Sequence, residues 1–461
     1  MIKLTEVLGM TIDHEPWARA EALRAAVVPL GFPDHQVDVT TFGAVGDGVT
    51  DCTLAFQRAI RAVAEAGGGR VTVPAGRFAT GPIRLLSHIE LHVSAGATVA
   101  FSTDPLAYLP AVRTRFEGVE LMGYSPLIYA LDQEHIAVTG EGTLDGQADR
   151  DHWWPWKGQE AHGWRPGQPH QAEARDRLFA SAERQVPVEN RIFTTGSYLR
   201  PSFVQPYRCR DVLIDGVTLR NSPMWIIHPV LCDRVLVQGV TVDSHGPNSD
   251  GCDPESCRDV VVRHCRFDTG DDCIAIKSGR NADGRRLGVA TERVLIEHCE
   301  FRDGHGGVTL GSEISAGVRA VFAQDLHMSS PALDVALRFK TNSMRGGFID
   351  DVHLRAITVD AVARAAIEMD LDYEEGPGHG FNPDLRDIHI SDLTVRQAHR
   401  AVMLRGYPDA PIHDVSLSDI RFEHSARPEV VEHVRGLAIR NVRTNGRHLV
   451  RGTGSTPPGP S

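Results

Sequence analysis

The sequence predicts an all-β fold, a parallel β-helix in which short strands wind into stacked coils. Eight blocks share one form: apolar, any, apolar, two polar or small residues, apolar, any, apolar. They begin at Val212, Val235, Val260, Val294, Val321, Val352, Ile388 and Val415. Their starts lie 23, 25, 34, 27, 31, 36 and 27 residues apart, intervals that suit the coils of a solenoid. The 44 glycines suit a chain that turns often. Within a block the period of two sends alternate side chains inward, where each stacks on the same position of the next coil.

Composition sets the outer limits. With 461 residues, 41% hydrophobic and 23% charged, the chain can bury an extensive core. A formal charge of −12 argues against a general nucleic-acid binder, which needs a basic face for phosphates. It leaves room for an acidic polymer, because a few placed cations outweigh the average charge locally. No apolar run reaches the length of a transmembrane helix, so no membrane partner is expected. The N-terminus shows no signal-peptide pattern, which places the protein in the cytoplasm as the sequence stands. A signal removed before this numbering would make it secreted or periplasmic. Nothing here specifies an oligomeric state. The eight cysteines include no CxxC pair. Cys265 and Cys299 fall on apolar strand positions and read as buried thiols. Cys252 and Cys257 flank a turn where a disulfide is an alternative.

Residues 1–37 form an N-terminal extension, with a helix expected from Pro16 to Val28, packed on the end of the β-helix. The β-helix domain spans 38–450. Val39 to Phe42 reads as its first strand, followed by Gly43-Ala44-Val45-Gly46-Asp47-Gly48. Those glycines lack the Gly-Lys-Ser/Thr ending of a phosphate loop. Asp51 is placed to cap a short helix on which Phe56, Ile60 and Val63 share a face and shield the first coil. Gly67-Gly68-Gly69 ends that helix, and Val71-Thr72-Val73 begins the next strand. Short strands continue to Asp145, including Ile89 to Val93 and Ile136 to Val138. A long turn-rich insertion then runs from about 146 to 198 and carries Trp153, Trp154, Trp156 and Trp164, four of the six tryptophans. Such a loop is functional or disordered. Its aromatic faces either stack on sugar rings or clasp the loop to the body. Residues 451–461 are expected to fray.

Four polar clusters interrupt the strand pattern: Asn248-Ser249-Asp250-Gly251, Gly270-Asp271-Asp272, Gly304-His305-Gly306 and Arg338-Phe339-Lys340. Asp271 lies eleven residues after the block start Val260, and His305 eleven after Val294. Neighbouring coils sit about 4.8 Å apart, so these groups can share one cleft. Inverting hydrolysis of a glycosidic bond needs an acid for the leaving oxygen and a base for a water, with carboxyls about 6.5–9.5 Å apart. Asp250, Asp271 and Asp272 supply the groups. Crowding lets one keep a proton near neutral pH while its neighbours stay charged. His305 can orient one of them. Arg338 and Lys340, two apart on a strand, point the same way and offer fixed positive charge to an anion.

Other readings compete. Taken singly, an Asp-Asp pair or an Asn-Ser-Asp-Gly turn is commonly structural. Clustered Asp residues can bind Ca²⁺, a cage that His305 and the basic pair fit poorly. His305 has no second His or Cys at zinc-ligand spacing. No metal or other cofactor is therefore expected. His228, among Ile226, Ile227 and Pro229, reads as a core or coil-edge residue, and Cys273 to Ile276 as packing behind the Asp pair.

Together the motifs resemble the polygalacturonase-type family of pectin-degrading glycoside hydrolases, family 28. The family's Asn-Thr-Asp appears as Asn248-Ser249-Asp250, its Asp-Asp as Asp271-Asp272, its Gly-His-Gly as 304–306 and its Arg-Ile-Lys as Arg338-Phe339-Lys340. The likeness runs from about Val39 to about Val442 and includes Phe42-Gly43-Ala44 and Asn221-Ser222-Pro223-Met224-Trp225. It implies a right-handed parallel β-helix and inverting hydrolysis of α-1,4-galacturonosyl linkages in a pectic poly- or oligosaccharide. By that pattern Asp271 is the general acid, Asp250 and Asp272 activate the water, and His305 supports the acid. Arg338 and Lys340 hold the galacturonate carboxylate beside the scissile bond, with Asn248 and Tyr373 as further substrate contacts. The insertion, with Arg200 at its end, is similar to that of bacterial members that trim uronates from chain ends. Rhamnogalacturonan, xylogalacturonan and rhamnosyl linkages remain alternatives. So do a Ca²⁺-dependent eliminase of pectate-lyase type and a non-catalytic carbohydrate-binding β-helix.

Overall fold

The computed structural model describes residues 15–449, so the expected frayed tail lies outside the described residues. The sequence repeat becomes a ladder of parallel pairs. Val212 pairs with Val235, Val235 with Val260, Val260 with Val294 and Val294 with Val321, and the series continues through Val352 and Ile388 to Val415. A second ladder runs through Leu219, Val242, Phe267, Phe301, Met328, Val359, Val395 and Phe422. A third joins Ile274, Val308, Leu337, Ile367 and Val402. These side chains are buried and form one continuous core. The architecture is a right-handed parallel β-helix, as the sequence predicts.

A repeated backbone device turns the corners. The residue before each block start is left-handed: Asp211, Arg234, Asp259, Arg293, Ala320, Asp351, Asp387 and Asp414 all have φ between 53° and 58°. Asp dominates this corner because it tolerates the left-handed region better than most side chains. The two arginines pair with the Asp on the preceding coil, Arg234 with Asp211 and Arg293 with Asp259, each at 2.6 Å.

Helix α1 (Glu15–Ala26) forms where the sequence expects a helix, but it does not pack on the end of the stack. It lies along the side. Ala20, Leu23 and Val27 cover the outward-facing Leu213, Leu236, Val261, Leu295 and Phe322, which come from five coils. Outward apolar positions in adjacent coils make a stripe that water would otherwise meet, and this stripe draws the helix away from the end. Arg24 fixes it with two hydrogen bonds to Glu297 at 2.9 and 2.6 Å. The end itself is closed by helix α2 (Thr53–Glu65), which buries Phe56, Ile60 and Val63. Asp51 accepts the Thr53 amide at 2.9 Å.

Val39 to Phe42 is a 3-10 turn, and the strand precedes it at Gln36–Asp38. The Asp38 carboxylate takes the Thr40 amide and hydroxyl at 2.8 and 2.6 Å, which folds the chain instead of extending it. The insertion is also more ordered than its composition suggests. It contains helix α3 (Ala172–Glu183), whose Ala174, Leu178 and Ala182 pack with Phe116, Val119, Leu121 and Trp225 in a second core. Trp153 is buried, and Trp154 donates its indole N–H to the Ser222 carbonyl at 2.9 Å, so these two clasp the loop to the body. All eight cysteines are buried free thiols, including Cys252 and Cys257. Among the described residues no helix is long and apolar enough to cross a membrane.

Leu23→Ala should open a gap between α1 and the stripe, far from the polar clusters. The expected loss is about 2–4 kcal/mol in denaturant unfolding, with kcat/KM unchanged.

Candidate active site

Backbone rungs bring the four polar clusters together. The Gly251 amide bonds the Asp272 carbonyl at 2.9 Å, the Cys273 amide bonds the Gly306 carbonyl at 2.7 Å, and the Gly307 amide bonds the Val335 carbonyl at 2.9 Å. Each rung joins one coil to the next. One carboxylate oxygen from each of Asp250, Asp271 and Asp272 therefore lies within 4.8 Å of the other two. Asp271 and Asp272 are consecutive on one coil, and the rise of the parallel sheet brings Asp250 from the preceding coil up to them.

The three acids differ in surroundings. Asp250 and Asp272 are buried, whereas Asp271 keeps 18% of its side chain exposed. Asp271 accepts from or donates to His305 Nδ1 across 2.9 Å. Asp272 is held by Lys340 at 2.6 Å and Arg338 at 3.4 Å, and Arg338 also reaches Glu368 at 3.3 Å. Tyr373 lies against the basic pair, its ring centre 5.3 Å from Lys340 Nζ and 5.7 Å from the Arg338 guanidinium carbon. The basic pair thus already neutralises a buried carboxylate at the base of the groove.

Glycine makes this density possible. A Cβ at Gly306 would stand 2.8 Å from Asp272 Oδ1, and one at Gly304, where φ is 150°, would stand 2.6 Å from the Asp271 carbonyl oxygen. The glycines on either side of His305 are therefore places where backbone and acid must nearly touch.

The charges divide into two groups. Burial, then the charge of Asp271, pushes Asp250 up to about 7, with Lys277 opposing. Burial also works to raise Asp271, but the hydrogen bond and charge of His305 outweigh it and hold Asp271 below the usual carboxylate range. The same hydrogen bond pushes His305 up to about 9. One acid titrates near neutrality, through burial first and crowding second. It is Asp250, and the proton beside Asp271 rests on the imidazole.

Two expectations change. Arg200 is not a substrate contact. It is buried, and it donates to the carbonyls of Pro223 and Pro247 at 2.8 and 2.6 Å and to Asn248 Oδ1 at 2.8 Å. It pins the end of the insertion to the loop carrying Asp250. Asn248 receives this bond and another from Lys157 at 2.9 Å, so its oxygen serves the insertion. His228 is a fully buried core residue, as expected, bonded to Glu255 at 2.8 Å.

Sequence reasoning missed the layer beneath. Lys277, buried, stands 3.4 Å from Asp250, 3.5 Å from Asp253 and 3.4 Å from Glu313. Neither oxygen of Asp253 has a hydrogen-bond partner, and burial, then the charge of Asp250, raises its titration well above the usual carboxylate range. The signal was a lysine closing the apolar run Ile274-Ala275-Ile276, a position facing the interior. The three-carboxylate cluster could in principle attract a divalent cation. Lys340, Arg338 and Lys277 already occupy that electrostatic role, so the donor set does not fit a metal.

Comparisons with known proteins agree with this geometry. The model of glycosyl hydrolases family 28 matches residues 193–455, and a model described as rhamnogalacturonase A/epimerase, pectate lyase-like, matches residues 36–96. A crystal structure of a hyperthermoactive exopolygalacturonase from Thermotoga maritima is 45% identical, covers 94% of this chain and 96% of that one, and superposes with a TM-score of 0.91. The chain belongs to glycosyl hydrolase family 28. It is a glycoside hydrolase of the polygalacturonase type. A protein named as a probable polygalacturonase from Vitis vinifera is 28% identical over 413 residues, spanning 86% of this chain and 76% of its own. The exo-poly-alpha-D-galacturonosidase of Dickeya chrysanthemi is 27% identical over 392 residues, spanning 78% of this chain and 61% of its own.

Because Asp250 titrates higher in the fold than in the unfolded chain, its contribution is full below about pH 4 and is lost as pH rises through about 7. Asp250→Asn removes that loss. The Tm difference, variant minus wild type, should grow by several degrees between pH 5 and pH 8, and a pH-independent difference would contradict the buried proton.

Proposed function

We propose that this enzyme hydrolyses α-1,4-galacturonosyl linkages of polygalacturonate and its oligosaccharides from chain ends, with inversion. The observation that carries the reading is the cation floor of Arg338 and Lys340 set against three carboxylates in a family 28 scaffold. A neutral sugar would gain nothing from such a floor, whereas a uronate carboxylate pairs with it.

Asp271 meets the glycosidic oxygen, because it is the acid open to the groove. The proton it delivers is stored on His305, whose Nδ1 lies 2.9 Å away, and moves through Asp271 to the leaving oxygen as the bond breaks. Asp250 and Asp272 hold the attacking water between them; Asp272, paired with Lys340 and Arg338, takes its proton, and Asp250 orients it. Attack at C1 then gives a product of opposite anomeric configuration. Action at chain ends is supported by the likeness to the exopolygalacturonase over nearly the whole chain and by the insertion that closes one side of the groove. The substrate is thus a pectic chain.

Asp271→Asn should lower kcat on oligogalacturonides by about 10²–10⁴-fold while the Kd for trigalacturonate, measured calorimetrically, stays within about threefold. Lys340→Met should raise KM and also lower kcat, because it frees Asp272 along with the substrate carboxylate. A KM effect alone would show that the Lys340–Asp272 pair is irrelevant to the chemistry.

On tri- to hexagalacturonate, monogalacturonate should be released from the outset, with the first product detected by NMR as the β-anomer and no near-ultraviolet absorbance. A spread of mid-sized products would sink the chain-end reading, an α-anomer the inverting one, and new absorbance the hydrolytic one.

A further inference from the structure

Lys157 sits at the end of a 3-10 turn, Trp154–Lys157, in the insertion. Its Nζ donates to Asn248 Oδ1 at 2.9 Å. Among the described residues no carboxylate forms an ion pair with it. The other cations around the site do have such partners: Arg175 meets Glu117 at 2.6 Å, Arg280 meets Glu313 at 3.2 Å, Lys277 meets three acids, and Lys340 meets Asp272. Arg200 lacks a carboxylate too, but it is sealed and its donors bond protein oxygens. Lys157 is only partly covered, so a ligand can reach it.

Its position is as informative as its lack of a partner. Asn248 is two residues from Asp250, so Lys157 flanks the carboxylate cluster on the coil that carries Asp250. Arg338 and Lys340 flank the cluster from the other side, coils away along the axis. A galacturonosyl bond joins two uronates, and each brings one carboxylate. The site offers one cation group on either side of the acids. The unit whose C1 is attacked lies over Asp250 and the water, and the insertion encloses that same side.

We propose that Lys157 binds the carboxylate of the non-reducing terminal galacturonate, and so makes the enclosed side of the groove selective for a charged chain end. This rests on the chain-end hydrolase reading above. The turn that holds Lys157 is rigid for this purpose. Trp156 packs edge-on against Trp153 and Tyr198, with ring centres 4.9 and 5.2 Å apart, and this fixes the ammonium against Asn248. The insertion's aromatic residues therefore serve an ionic contact by fixing it, with no need to stack on sugar. Burial, opposed by Glu117 and aided by Arg200 and Arg175, holds Lys157 below the ordinary lysine range. An arriving carboxylate reverses that and gains a partly desolvated partner. His162, also lowered by burial and by Arg200 and Lys157, faces the same space and adds no competing negative charge.

The test compares trigalacturonate with the same trisaccharide reduced to galactose at its non-reducing unit. Wild type should prefer the acid by about 10–100-fold in kcat/KM. In Lys157→Met the ratio between the two substrates should collapse towards one, and Lys157→Arg should restore part of it. Equal losses on both substrates would show a purely structural Lys157, and an unchanged ratio would show that the carboxylate is read elsewhere. Either result overturns the proposal while leaving the hydrolase reading intact. Internal cleavage of hexagalacturonate by wild type would overturn the chain-end reading and this proposal with it. If Lys157→Met melts early, Lys157→Gln, which keeps a donor to Asn248, carries the same comparison.

Discussion

The rise from one coil to the next in a parallel sheet is the constraint on which the site depends. It sets Gly251 against Asp272, Cys273 against Gly306 and Gly307 against Val335, and side chains far apart in sequence follow at the same spacing. A catalytic group in such a fold inherits its distance from its neighbours through backbone hydrogen bonds, without a loop to adjust it. This gives rigidity, and it also forces like charges close together. The approach of Asp250 to within 4.8 Å of the consecutive Asp271 and Asp272 is a direct product of the ladder.

Much of the surrounding chemistry answers that crowding. Lys340 and Arg338 neutralise Asp272 from one side, Lys277 lies under Asp250 and Asp253, and the imidazole of His305 partners Asp271. Near neutral pH His305 holds a proton and Asp250 is partly protonated. The site is poised for acid and base work because its charges cannot all be expressed at once. In the same network the basic pair is the counter-ion of Asp272, and the anchoring role proposed for it draws on the same charges.

The insertion adds what the coils cannot. Coils repeat, whereas the insertion brings the tryptophan turn and its end against the loop that carries Asp250. Buried Arg200 and partly exposed Lys157 converge on one oxygen of Asn248, so the insertion and the catalytic loop are joined at a single atom. They differ in exposure, although both are long cations close to that oxygen, at 2.9 and 2.8 Å.

The sequence by itself determined the coil register: every block start from Val212 to Val415 pairs with the next, because alternation of apolar side chains has one way to face inward. It also determined the order of the four polar clusters, whose membership in one cleft follows from that register. Side of approach, burial and protonation were decided by the tertiary structure. Nothing local in the Glu15–Ala26 helix distinguishes the end of the stack from its flank; the outward stripe from Leu213 to Phe322 does, and it exists only once the coils have stacked. The raised titration of Asp250 comes from burial and the charges of Asp271 and Asp272, against Lys277 and Lys340, all set by packing. Whether a cation is a sealed pin like Arg200 or an open hand like Lys157 depends on what covers it, and cover is a property of the folded chain.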